Sequence, residues 1–430
     1  MKNKFEEKVS RRKFLKYGAA VSIGGIALGR SAFVRGQATK PILIGITSDA
    51  SGNFAESGGA ERRGMIMAIE EFNAKGGVLR RKIEYKHEDT ETDPSAASRK
   101  AKRLIERERV DFLIGALSSG CANAISEVAQ REGIIFFNTN SSADSVTNEK
   151  CHKINFACDA NNHMFSYALG PWVARNMGKK WYFLTADYTW GKSGTADFRK
   201  ILKAEGGEEV GEILIPLGTR DYSAQLIKIT AAKPEVVMTT VSGADVSALL
   251  EQAHEFGADK KMSFCFILMD FPDLWAIGPD KNFGIYGITW HHKLDLPGVK
   301  DFVARFRKRW PDARPPVPDN VSYNGYIGMR ELLRAVERAG TTRNHDVIKA
   351  LEGWIFKDSM KHHPTTIRDF DHCFMQTMYV AKGKPKNKMK DETDFYDIIG
   401  IVKPEEAAIK REDSKCQMES YSTTPDYWMK

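Results

Sequence analysis

The sequence predicts an α/β protein made of two doubly wound lobes, each a mostly parallel sheet covered by helices. Three observations carry that expectation. Short apolar runs bounded by turn residues alternate with amphipathic helical stretches from residue 42 to residue 289. Strands spaced by helices pair in parallel and are buried on both faces. The alternation yields too many strands for one sheet, and 392 of the 430 residues follow position 38, more than one core usually supports.

The elements follow in order. Strands are expected over 42–47, 83–87, 110–114 and 134–138, separated by helices over 59–73, 94–107 and 122–131. The first of these helices is stopped by Lys75-Gly76-Gly77. A break falls near 159–162, and the alternation restarts with a helix over 164–177. Strands over 181–185, 209–215, 236–241, 264–268 and 285–289 come next, with helices over 195–204, 222–232 and 244–256 among them. Helices over 298–310 and 321–340 flank Arg314-Pro315-Pro316-Val317-Pro318, and a shorter one covers 346–351. Strands and connections follow, with a charged turn over 382–392 and a loose tail over 423–430. The predicted division places 39–158 with 291–358 in one lobe and 159–290 with 359–422 in the other. A hinge joins them, and ligand binds at the carboxyl ends of the strands, where loops of both sheets converge.

Residues 1–38 read as an export signal. Ser10-Arg11-Arg12-Lys13-Phe14-Leu15-Lys16 sets a paired arginine before Phe-Leu-Lys, a weakly apolar run covers 17–28, and Gly36-Gln37-Ala38 is a small-x-small site. The apolar run is about half of the ~20 residues that span a membrane. The segment resembles a twin-arginine signal peptide. The resemblance implies export by the twin-arginine translocase in folded form, cleavage near Ala38 and a periplasmic location.

That segment also explains the charge. The chain holds 64 Lys and Arg against 56 Asp and Glu, a net +8, but residues 1–38 hold nine basic and two acidic residues. The remainder carries 55 and 54, a net +1. A near-neutral protein has no electrostatic footprint for nucleic acid, so no nucleic-acid partner is expected. The run Arg305-Phe306-Arg307-Lys308-Arg309 reads as the wet face of a helix. None of the cysteines Cys121, Cys151, Cys158, Cys265, Cys373 and Cys416 forms a Cys-x-x-Cys pair. That spacing argues against zinc or thioredoxin-like chemistry. Disulfides are permitted outside the cytosol, and Cys265, inside an apolar run, reads as a buried thiol.

Four stretches carry a family resemblance: Ile42-Leu43-Ile44-Gly45-Ile46 leading to Ala50-Ser51-Gly52, the helix 64–73 closed by Ala74-Lys75-Gly76-Gly77, Asp89-Thr90-Glu91-Thr92-Asp93-Pro94, and Leu113-Ile114-Gly115-Ala116-Leu117-Ser118-Ser119. Asp187-Tyr188-Thr189-Trp190-Gly191 and Gly218-Thr219-Arg220-Asp221-Tyr222 agree with them. Together they resemble the type I periplasmic binding proteins of branched-chain amino acid ABC transporters, over residues 40–379. The resemblance implies a periplasmic binding protein type I fold, capture of a small solute by lobe closure, an ABC permease as partner, no cofactor and no catalysis.

Candidate site residues come from physics first. Ser118-Ser119-Gly120 lies between a buried strand and a helix, where free N–H groups and the positive helix end make a carboxylate cradle. The same serines also suit a plain N-cap. The family alignment implies that Ser119 binds the ligand's carboxylate. It implies that Asn140, by its main chain, and Ser142, by its hydroxyl, hold carboxylate and ammonium. It further implies that Trp190 closes over the ligand and that Asp270 pairs with the ammonium. Asp270 also suits a turn cap before Pro272. Tyr326 sits on the hinge-side helix that contributes a tyrosine in the family, or else in the core. Ser57 and Ser242 stand where amino-acid binders often carry aromatics, so a roomier, more polar pocket is expected than one for leucine. That widens the expected solute to an aromatic or other organic acid, a polar amino acid, or an amide.

Other constellations point to less. His291-His292, Lys361-His362-His363 and His372-Cys373 lack the helical spacing of a zinc motif, so no metal is expected. No Gly-x-Ser-x-Gly elbow occurs. Three function classes remain: solute receptor of an importer, which is the expectation; ligand sensor on the same fold, for example for an amide or urea; and exported enzyme.

Overall fold

The structure is a computed structural model, and it describes residues 40–418. The export signal and the loose tail lie outside the described residues. Two large sheets and one small one organise the chain. The first contains β1 (Ile42–Thr47), β2 (Ile83–Glu88), β3 (Phe112–Gly115), β4 (Phe136–Asn138) and β5 (Asn155–Ala157), in the order β2-β1-β3-β4-β5, all parallel. Its crossover helices are α1 (Ala55–Ala74), α2 (Pro94–Arg103) and α3 (Ser119–Glu132). β3 and β4 are buried at every position, as strands covered on both faces must be.

After α4 (Asn162–Asn176), the second sheet is built from β6 (Lys180–Ala186), β7 (Glu208–Ile215), β8 (Val236–Thr239), β9 (Ser263–Phe266) and β10 (Ile285–Ile288). Helices α5 (Thr189–Ala204), α6 (Ser223–Ala232), α7 (Ala244–Glu255) and the short α8 (Phe271–Ile277) connect these strands. The chain continues through α9 (Val299–Arg309), α10 (Asn320–Ala339) and α11 (Asn344–Leu351). A small antiparallel sheet of β11 (Ile355–Phe356), β12 (Thr365–Ile367) and β13 (Phe374–Met375) follows. β14 (Met378–Gly383) and β15 (Tyr396–Val402) then join the second sheet antiparallel, giving β15-β14-β10-β9-β8-β6-β7. A last turn, α12 (Pro404–Ala407), leads to a disulfide between Cys416 and Cys151. The other four cysteines are free and buried, Cys265 among them.

The α1–α10 contact positions part of the site. A Cβ on Gly64 would lie 1.9 Å from the carbonyl oxygen of Ser322, and one on Gly325 would lie 2.4 Å from that of Glu61. Only bare backbones approach so closely. α10 begins with a reciprocal cap: the Ser322 N–H donates to the Asp319 carboxylate and the Asp319 N–H donates to the Ser322 hydroxyl, each at 2.8 Å.

Two helix starts and one strand differ from the sequence reading in ways that matter. α3 starts at Ser119, not at 122, and α5 starts at Thr189, not at 195. Both first turns are poor in the apolar periodicity that marks a helix. In α5, Gly191 stands where a Cβ would meet the Ala186 carbonyl oxygen at 2.3 Å. β5, only three residues long, is a strand the pattern does not reveal.

Candidate functional site

A cavity of about 30 Å³ lies between the two large sheets. Every side chain lining it follows the carboxyl end of a strand. Phe54 follows β1, Leu117 and Ser119 follow β3, Asn140 and Ser142 follow β4, and Asp159 follows β5. From the other sheet come Tyr188 and Trp190 after β6, Ser242 after β8, and Leu268 and Asp270 after β9. In both sheets the first strand has neighbours reached in opposite directions, β2 and β3 about β1, β7 and β8 about β6. Loops part at such points and leave a crevice.

The wall on the first sheet is a hydrogen-bonded network. Ser119 opens α3, with Ser118 as N-cap, so the positive helix end meets the cavity there. The Ser119 Oγ accepts the Ala143 N–H at 3.1 Å, which leaves its own hydrogen to give. Ser142 donates its hydroxyl hydrogen to Asp159 Oδ2 at 3.0 Å. Asn324 donates from one amide nitrogen to Asp159 Oδ1 at 2.9 Å and to Asn140 Oδ1 at 3.1 Å. Asn140 in turn donates to Glu61 Oε1 at 2.9 Å, and the Thr139 hydroxyl donates to the same oxygen. Burial pushes the Glu61 carboxyl up to about 8 and that of Asp159 up to about 6. Behind Asp159, Lys361 donates to Gln376 Oε1 at 2.5 Å, and burial pulls its ammonium down to about 7.

The wall on the second sheet is aromatic and closes against the first. Tyr188 and Trp190 stack with centroids 5.9 Å apart, and Asn162 donates to the Trp190 carbonyl at 2.6 Å. Asp270 stands at the N-cap position of α8 without a side-chain capping bond, and its carboxylate crosses the cleft instead. Its Oδ1 accepts from Asn320 on α10 at 3.0 Å and its Oδ2 from the Ser57 hydroxyl on α1 at 3.4 Å. Burial raises its carboxyl, and the charges of Asp319 and Asp159 add to the rise. Asn53 makes further crossings: it accepts from Arg220 at 3.2 Å and from the Ala244 N–H at 3.3 Å, and donates to the Ser242 carbonyl at 3.5 Å.

Of the residues expected from the sequence, Ser119, Asn140, Ser142, Trp190, Ser242 and Asp270 are brought together in the lining. Ser57 stands one hydrogen bond behind, on Asp270. Tyr326 is a correction. Its hydroxyl donates to Glu71 at 2.7 Å and its ring packs on Phe302, centroids 4.6 Å apart. Asn320 and Asn324, four residues apart, share the face turned to the cleft, and Tyr326 is ~200° further round the helix from Asn324. Phe54, Leu117, Tyr188 and Leu268 share the lining with Ser242.

Sequence reasoning missed Asp159, Glu61, Tyr188 and Phe54. Asp159 lies two residues past β5, and recognising that strand would have put it at a carboxyl end with the others. The histidine clusters lie outside the lining. His291 is buried, with its ring pushed down to about 3, and His372 stacks on Phe156 at 4.0 Å. Among the described residues, no three His, Cys, Asp or Glu side chains are grouped to hold a metal.

Comparison with known proteins agrees with this architecture. A Leu/Ile/Val-binding protein homolog 7 from Brucella suis biovar 1 is 28% identical over 332 residues, covering 73% of this chain and 82% of that protein. A periplasmic binding protein from Burkholderia mallei superposes with a TM-score of 0.81 at 26% identity, covering 88% of this chain and 98% of that one. A solute-binding protein of an R. palustris ABC transporter, solved with benzoate, shares the fold with a TM-score of 0.77 at 23% identity, covering 88% and 99%. The sequence model of the periplasmic binding protein family matches residues 41–389, nearly all of the described chain, and the protein belongs to that family.

Proposed function

We propose that this protein is the periplasmic receptor of an ABC importer and captures a small α-amino acid, handing it to a membrane permease. The observation that carries the reading is the pairing of opposite chemistries on one cavity. The α3 N-terminus with Ser119 offers an anion cradle, and Asp270 offers a carboxylate to an ammonium. A zwitterion satisfies both. A plain aromatic acid such as benzoate would instead face Asp159 and Asp270 with no cation of its own, in a lining that contains no Lys or Arg. Unpaired buried charge of one sign is costly. The cavity is too narrow for entry without parting of the walls, so binding and closure are one event, with the crossings at Asn53 and Asp270 forming as the lobes meet.

The test is calorimetry with an α-amino acid, its amide and its desamino acid. Both altered compounds should bind far more weakly than the amino acid. Asp270→Asn should cost about 1.5–3 kcal/mol, roughly ten- to hundred-fold in affinity. Equal affinity for the desamino acid would overturn the reading in favour of a simple carboxylate.

A further inference from the structure

The acceptors on the first wall exceed what one α-ammonium uses. Ser142 has spent its hydrogen on Asp159 and shows the cavity only lone pairs. The side-chain donors of Asn140 are directed to Glu61 and to the Val321 carbonyl. Asp159 accepts from Ser142 on one oxygen and from Asn324 on the other, and the Ala160 N–H adds a third bond; a carboxylate has about four acceptor sites, so about one remains. This corner therefore asks for a donor, and it carries negative charge. Lys361 behind it offsets that charge only in part, since burial pulls its ammonium down to about 7. Asp270 is a second buried carboxylate in the lining of the same cavity, so a solute that parts the walls meets both.

We infer that Asp159 is a specificity-determining residue that contacts a second cationic group on the solute, selecting a short basic amino acid over leucine, isoleucine or valine. The inference rests on the amino-acid reading of the cavity. In that arrangement the carboxylate lies at the α3 N-terminus, one ammonium meets Asp270, and the side-chain ammonium meets Asp159 and the Ser142 oxygen. An apolar side chain in the same corner would strip Asp159 of solvent and give it nothing in exchange.

The test compares L-2,4-diaminobutyrate, L-2-aminobutyrate and L-leucine by calorimetry on the purified protein. The diamino acid should bind at least about tenfold more tightly than the other two. Asp159→Asn should collapse the ratio of diaminobutyrate to 2-aminobutyrate affinity to about twofold or less, both measured on the same variant, a loss of ranking that general damage to the fold would not produce. The wild-type comparison stands even if the variant fails to fold. If leucine or 2-aminobutyrate binds as tightly as the diamino acid, the role of Asp159 is overturned and the amino-acid reading survives. If none of the three binds, the amino-acid reading itself falls, and the inference with it.

Discussion

The two walls of the cleft differ in chemistry. On the first sheet, side chains are locked to one another in a chain of hydrogen bonds running from Glu61 through Asn140 and Asn324 to Asp159 and Ser142. On the second, Tyr188, Trp190 and Leu268 supply surface, and the polar bonds that matter reach across to the other side. A pre-set polar wall orients a solute at little entropic cost, since its groups are already fixed. An aromatic wall adds contact area and excludes water whatever the solute's polar pattern. On the reading proposed above, the first wall sets most of the polar pattern a solute must match, Asp270 adds the ammonium partner from the second, and the aromatics of the second serve closure.

Breaking the scaffold of the first wall should have the largest effect. Gly64→Val places side-chain atoms where a Cβ already meets Ser322 backbone at 1.9 Å, forcing α1 from α10. The loss should be about 3 kcal/mol or more, read as a fall in the denaturation midpoint, with Asn320 and Asn324 displaced from the cleft. Unchanged stability would mean that the helix contact does not hold the wall.

Glu61 tests whether the network is electrostatically strained. Its folded value of about 8 lies above the ordinary 4.5, so the folded state holds the proton more tightly than the unfolded chain. Its contribution to stability is complete below the ordinary value and is lost as pH rises through about 8. Glu61→Gln, permanently neutral, should flatten that part of the decline, a change on the order of a few kcal/mol across the window. Parallel stability–pH curves for the two proteins would refute it.

Ser119→Ala sharpens the comparison at the ligand. It removes one hydroxyl donor at the α3 N-terminus and should weaken binding by ~1.5–3 kcal/mol, with the demand for a carboxylate kept because the helix N–H groups remain. Trp190→Ala, on the other wall, should weaken all solutes alike without altering their ranking. A changed ranking would assign discrimination to the second wall too. Asn53→Ala should have the smallest effect, a few-fold in affinity, about 0.5–1 kcal/mol, because it removes only partly exposed crossings. Scattering should then report a more open unliganded protein.

Much of the site was legible because the architecture ties function to strand ends. Apolar runs marked β3, β4, β6 and β9, the family resemblance singled out Ser119, Asn140, Ser142, Trp190 and Asp270 just past them, and all five line the cavity. Reading failed where local pattern was silent. A three-residue β5 gave no periodicity, so Asp159 went unseen. Tyr326 was drawn to the cleft because its helix contributes there, but the face that helix turns inward is set by how α10 lies on α1.

By itself, the sequence determined the alternation of strands and helices, the need for two sheets and the polar loops at their carboxyl ends. Those follow from hydrophobic period and turn chemistry, which are local. Only the tertiary structure decided which loops from distant parts of the chain share one cavity. It also decided that Phe54 and Tyr188 join the lining, and that Asp159 and Asp270 face a common space. Burial, the direction of a helix face and the pairing of hydrogen bonds across 165 residues, as from Asn324 to Asp159, arise only when the whole chain is packed.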